Sequence, residues 1–299
     1  MSIFFEGHDD FKYNHLLTDK LDKDEYQLCT TRLEFSHNRL KNIHFLFKIG
    51  VSESSGEYYN FFSAVTIELE TNMVIFRFDQ HLLDCYPADP LDIISSLKDI
   101  INGVNKKHEI FDILEFNVIG MHVEAPKKII SSLFKELSSE AEDILNKEVP
   151  SQTDNDIREF LEGKGLPFEE DYIQQIKSVL FQDISQKCAD TFFVNGWVFR
   201  FVFREGQLTR ASSRTDDKSP IYGSKVYWNL KELIFKSDEM KESGFHWYLT
   251  DPFDESPEFV QVRLEARNDS LIVHYYYKMR SPDRKEKEDY VLRKIKEYL

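Results

Sequence analysis

Between residues 197 and 204 a large aromatic side chain recurs at every second position: Trp197, Phe199, Phe201 and Phe203 alternate with Val198, Arg200, Val202 and Arg204. An α-helix returns to the same face about every 3.6 residues, so a period of two excludes a helix and predicts a β-strand with two unlike faces. Gly206 supplies a turn, and a following strand with Arg210 and Arg214 closes a hairpin. The same alternation marks 42–49, where Ile43, Phe45, Phe47 and Ile49 share a face, and 259–278. A chain built from such segments forms antiparallel sheets.

Turn residues fix how the hairpins pair. A two-residue turn at Thr71-Asn72 sets Leu69 against Val74, Ile67 against Phe76 and Val65 against Phe78. A turn at Asn268-Asp269 pairs Val260 with Tyr277, Val262 with Tyr275 and Leu264 with Val273 on a core face. It aligns Gln261 with Tyr276, Arg263 with His274 and Glu265 with Ile272 on the other. Further strands are expected at 111–122 and in GFHWYLT at 244–250.

Helical periodicity fills the gaps. Asp89 caps and Pro90 opens a helix over 90–103 with Ile93, Ile94, Leu97, Ile100 and Ile101 on one stripe. Pro126 opens a second, with Ile130, Leu133, Phe134, Leu137, Ala141, Ile144 and Leu145 buried, which Pro150 ends. Others are expected at 155–163, at 169–188 on a stripe of Ile173, Ile176, Leu180 and Ile184, at 229–237, and from 283 onward. The predicted class is α+β with two domains, 1–150 and 151–299. Each is a mainly antiparallel sheet packed with amphipathic helices, and VPSQTDND at 149–156 is the linker. Both halves run hairpin, helix, strand, helix, an order compatible with duplication, although no residues match.

At 41% hydrophobic and 14% aromatic residues, the chain can offset its ordering entropy by burial. No apolar run approaches the roughly 18 residues needed to cross a bilayer, and the N-terminus lacks a secretory pattern, so membrane roles are not expected. Cys29, Cys85 and Cys188 form no CxxC pair, which fits free thiols and a cytoplasmic location. Phosphate-binding loops, dinucleotide fingerprints, HExxH and GxSxG are all missing, so no cofactor is expected and catalysis is disfavoured.

Three clusters remain as candidates. Asp79, His81 and Asp84 offer oxygen and nitrogen donors for a metal, although capping and loop roles explain them more simply. Arg263, Glu265, His274 and Tyr276 share a sheet face suited to acid–base work in a nucleic-acid- or nucleotide-processing effector. Arg200, Arg204, Arg210 and Arg214, with Lys218 nearby, form a partner- or anion-binding candidate inside the only basic region of a chain of net charge −15. Residues 191–236 carry eight Lys and Arg against four Asp and Glu.

The arginine hairpin admits two registers. A three-residue turn at 205–207 pairs 204 with 208, 202 with 210, 200 with 212 and 198 with 214, placing all four arginines together and away from the aromatic row. A two-residue turn puts Arg210 and Arg214 among the aromatics, at the cost of burying charge. The first is preferred. With arginines and aromatics on opposite faces, nucleic acid is disfavoured, since the same bases cannot meet both. The leading expectation is an acidic protein-binding factor of the inhibitor, immunity or accessory type in bacterial or phage conflict. It would act by stoichiometric protein contact, with a homo-oligomer as an alternative partner.

Overall fold

A computed structural model describes residues 26–107, 117–189, 193–205, 209–237, 239–277 and 283–299. The fold is α+β, with two antiparallel sheets and packed helices. The chain divides into two compact units, Met1–Ile119 and Gly120–Leu299.

In the first unit β1 (Gln27–Ser36), β2 (Arg39–Ser54), β3 (Glu57–Glu68) and β4 (Met73–Phe78) pair in chain order. Two-residue turns at His37-Asn38 and Ser55-Gly56, all four residues at positive φ, join the first three strands. Such turns match the natural twist of a hairpin. Ile43, Phe45, Phe47 and Ile49 are buried as the alternation requires, against Phe61, Val65 and Ile67. β1 is not among the strands expected from the sequence, since few of its side chains are large and apolar; Leu33 and, in part, Leu28 pack on the core.

The β3–β4 hairpin pairs Ile67 with Val74, Val65 with Phe76 and Ser63 with Phe78, two residues away from the expected register. Residues 69–72 form the turn instead of Thr71-Asn72 alone. A shift of two keeps every side chain on its face, so the buried set survives. Helices α1 (Gln80–Asp84) and α2 (Pro90–Lys107) follow, and the Asp89 carboxylate accepts the Leu91 N–H at 2.8 Å. Ile93, Leu97 and Ile101 close the core. Part of the expected strand at 111–122 falls outside the described residues, and 117–122 joins neither sheet.

The second unit begins before the expected boundary at 150, and the reason is α3 (Ala125–Glu148). Its buried Ile130, Leu133, Phe134, Leu137, Ala141 and Leu145 belong to the second unit's core. The helices α4 (Thr153–Gly163), α5 (Glu170–Ile184) and α6 (Gln186–Ala189) come next. Leu180, expected in the α5 stripe, is exposed, and Phe181 takes the buried position.

Strands β5 (Trp197–Glu205), β6 (Thr209–Arg214), β7 (Met240–Tyr248), β8 (Phe259–Arg267) and β9 (Ser270–Tyr275) form the second sheet in the order β6-β5-β7-β8-β9. Between β6 and β7 runs α7 (Lys225–Ser237), and α8 (Arg284–Lys296) ends the chain. The two sheets differ in strand number and order, which gives no support to a duplication.

Polar contacts fasten the helices to this sheet. Tyr222 Oη donates to the Leu137 carbonyl and accepts the Val198 N–H, each at 3.1 Å, tying α3 to β5. Lys231 on α7, 5% exposed, is ion-paired with Glu142 of α3 and with Glu232, each at 2.9 Å. Burial pushes the Glu142 carboxyl above its ordinary range, against the pull of Lys231. No helix among the described residues is long and apolar enough to cross a membrane.

Candidate functional site

One face of the second sheet packs on the helices through Val198, Phe201, Phe203, Phe245, Trp247, Val260, Val262, Leu264 and Ala266. The residues between them point the other way. The β5–β6 register pairs Arg200 with Arg214 and Arg204 with Arg210. Relative to the preferred reading the pairing moves by two residues and the connection becomes 206–208, outside the described residues. Parity is retained, and all four arginines share a face.

β7 carries that face further. Arg200 aligns with Gly244, Gly244 with Arg263 and Arg263 with His274. The β8–β9 register is the expected one, including Glu265 opposite Ile272, and the Tyr276 N–H continues it by bonding to the Gln261 carbonyl at 3.0 Å. The arginine hairpin and the Arg263, Glu265, His274, Tyr276 cluster, which the sequence presents as two sites, therefore lie on one surface. A single row across five strands reads Arg214, Arg200, Gly244, Arg263, His274.

The aromatic row corrects the sequence reading. A β-bulge between Val198 and Arg200 in the pairing with β7 breaks the alternation at Phe199. Phe201 and Phe203 stay in the core, but Trp197 stacks on His246 at 3.7 Å between ring centres, and Phe199 lies over Gly244 with its edge toward Tyr276. A Cβ at Gly244 would stand 2.4 Å from the Phe199 ring. Two of the four aromatics thus occupy the arginine face, removing the separation that had counted against nucleic acid.

These rings engage one another. His246 stacks on Phe259 as well as Trp197, and Tyr248 meets both His246 and Trp197 edge-on. The Lys218 ammonium sits 3.8 Å from the centre of the Tyr276 ring and donates to Gln261 Oε1 at 3.3 Å. Lys218 thus belongs to the aromatic end of the face and not to the arginine hairpin. Burial lowers its pKa. Gln261 Nε2 donates to His246 Nδ1 at 3.1 Å, which places the ring proton on Nε2, a buried atom without a hydrogen-bond partner. Burial, with Lys218 nearby, lowers His246 to about 4 from 6.5, so the imidazole is neutral at physiological pH.

Charges divide unevenly over the surface. Arg200 is ion-paired with Glu242 of β7. Glu265 accepts from Arg267 Nε at 2.7 Å, with His274 Nε2 at 3.6 Å and Arg263 Nη2 at 3.9 Å. His274, Arg267 and Arg263 outweigh burial and hold the Glu265 carboxyl at about 2. A general base works best with a pKa near the operating pH, so Glu265 is poorly matched to that role. Among the described residues no carboxylate pairs with Arg204, Arg210 or Arg214, all of which are exposed.

Two of the three metal candidates are otherwise employed, and the third, Asp84, is exposed at the end of α1. Asp79 accepts the Leu82 N–H as the cap of α1, and His81 Nε2 is 2.6 Å from Ser54 Oγ. Among the described residues no three His, Cys, Asp or Glu side chains converge to hold a metal. Cys29 is buried and Cys85 exposed, both as free thiols, while the Cys188 side chain lies outside the described set. A cavity of about 210 Å³ is lined by Gln175, Glu232, Phe235 and Lys236, on α5 and α7 instead of on the sheet face.

The strand expected at 244–250 is present as β7, but its start at Met240 and its place between β5 and β8, which puts Glu242, Gly244 and His246 at the centre of the surface, were not read from the sequence. The signal was present in GFHWY: Phe245 and Trp247 alternate with a glycine and a histidine, the pattern of a central strand with a close ring above it. Comparison with protein-family models, curated proteins and solved structures finds no match.

Proposed function

We propose that the protein is a binding factor that acts by stoichiometric contact with another protein, and that the arginine face of the second sheet receives an acidic region of that partner. The observation that carries this reading is the juxtaposition of Arg200 with Arg214 and of Arg204 with Arg210. Like charges directly opposite one another in a sheet are destabilising, by a few tenths to about 1 kcal/mol per pair. Among the described residues, Arg200 alone of the four has a carboxylate to relieve it. An anionic partner would supply the missing counter-charges, and guanidinium forks bind carboxylates in two-point fashion. The biological setting stays as expected, an inhibitor, immunity or accessory factor in bacterial or phage conflict, supported by the acidity of the chain and its lack of catalytic motifs.

A catalytic reading draws support from Glu265, His274 and Arg263 lying beside the arginines, but the low Glu265 pKa weighs against it. The deciding experiment compares affinity capture from the source cells by the wild-type chain and by Arg204→Glu/Arg210→Glu. A partner recovered in fixed ratio by the wild type and lost with the double variant supports the proposal. Equal capture by both, or nuclease or nucleotide-hydrolysis turnover that Glu265→Gln abolishes, overturns it.

A further inference from the structure

We propose that β6 is a docking edge, and that the partner contributes an extended acidic segment which adds to the second sheet as a strand beside it. This rests on the reading of the arginine face as the partner surface and specifies how the partner lies there.

Three observations converge on the edge. β6 ends the strand order, and among the described residues its only strand neighbour is β5. No other backbone hydrogen bond reaches it from the described residues. The opposite edge begins differently, with the Met121 N–H bonded to the Asp269 carbonyl at 2.8 Å beside the start of β9. An open edge presents a row of backbone donors and acceptors that only another extended chain satisfies in full.

The side chains of β6 then state what that chain carries. Arg210, Ser212 and Arg214 project on one face and are exposed, whereas Ala211 and Ser213 point to the other and are half-buried. Charges on an edge strand commonly serve to block aggregation, but blocking needs them on the edge alone. Here Arg200 and Arg204 stand behind Arg214 and Arg210 on the inner strand, where they add repulsion without adding protection. The two pairs lie about 13 Å apart along the strands, four residues at the strand rise. One small anion reaches one pair, while a strand with acidic residues at alternate positions reaches both.

Nucleic acid fits the same charges less well. Single-stranded binding relies on bases stacking on aromatic faces, and here Trp197, His246 and Phe259 stack on one another while Lys218 covers Tyr276. Nor does a nucleic acid use the β6 backbone. The chemistry therefore favours an extended peptide with alternating carboxylates.

The test uses the full chain and a fluorescent short peptide alternating glutamate and valine, with anisotropy read at low and physiological salt. Two further peptides carry N-methyl groups on one or the other alternate set of amides, so each removes the donors from one edge. The expected result is saturable binding, weakened about tenfold by Arg210→Glu/Arg214→Glu and by added salt, as charge-led contacts are. One N-methylated peptide binds like the parent and the other fails. Unchanged tryptophan fluorescence of the double variant, whose indoles all lie in this unit, shows that it is folded. The proposal is overturned by absent binding, by equal binding of both N-methylated peptides, or by tighter binding of an oligothymidylate of matched charge. It is overturned as well if a second copy of the chain occupies the edge, seen as a concentration-dependent dimer. If these results arise while Arg204→Glu/Arg210→Glu still abolishes partner capture, strand addition fails and the arginine face stands.

Discussion

His246 is a neutral imidazole clamped between two rings, and that gives it a measurable consequence. Its pKa falls from 6.5 to about 4 on folding, so at pH 5 the unfolded chain binds a proton that the native state refuses. Stability from this group is complete above pH 6.5 and drains away as pH falls toward 4, with a limiting slope of about 1.4 kcal/mol per pH unit. Glu265, lowered to about 2, gives up its contribution only below its ordinary 4.5. Of these two groups, His246 alone acts between pH 6.5 and 4.5. Urea midpoints measured across that window should flatten in His246→Phe, which keeps a ring in the stack. Gly196 is a second sensitive position, at φ +109° with the site of a Cβ 2.0 Å from the His246 carbonyl oxygen. Gly196→Ala should cost about 3 kcal/mol in the same measurement, from backbone strain and overlap together.

Helix α3 carries the lesson at the scale of elements. Its apolar stripe was plain in the sequence, and Pro150 was a sound place for it to end, but periodicity reveals only that a face is buried and not which sheet buries it. The contacts of Tyr222 and Lys231 join α3 to β5 and α7. Phe134→Ala, at a fully buried site, should therefore cost about 3–5 kcal/mol and appear in the unfolding of the unit that holds all three tryptophans. Unchanged tryptophan-detected unfolding would place the helix elsewhere. Strand pairing shows a similar division. The β8–β9 register was legible because Asn268 takes positive φ in a two-residue turn that fixes every pair beyond it. The β3–β4 and β5–β6 registers slipped by two, since longer turns leave the offset open while alternation still fixes the faces. The β5–β7 pairing had no such local determinant, because α7 intervenes, and the bulge at Phe199 is encoded by a glycine on the partner strand.

For the whole molecule the telling quantity is the distribution of charge. A net −15 would keep the chain from anionic partners at long range, yet the second sheet gathers Arg200, Arg204, Arg210, Arg214, Arg263 and Arg267 on one face with Glu242 and Glu265 as the only acidic side chains of its described strands there. Such an arrangement favours recognition by orientation: the partner is attracted only when its acidic region meets this face. Raising ionic strength should accordingly slow association more than it speeds dissociation, a difference readable by surface-bound kinetics with the captured partner. The individual clusters could be read from the sequence, but their union could not, since it depends on where β7 sits. The central claim is that this face meets the partner, and arginine-selective chemical footprinting of the purified complex tests it most directly. Phenylglyoxal should modify Arg204, Arg210 and Arg214 in the free chain and spare them in the complex, with Arg158 and Arg293 reactive in both. Full reactivity of the three arginines in the complex would contradict the account.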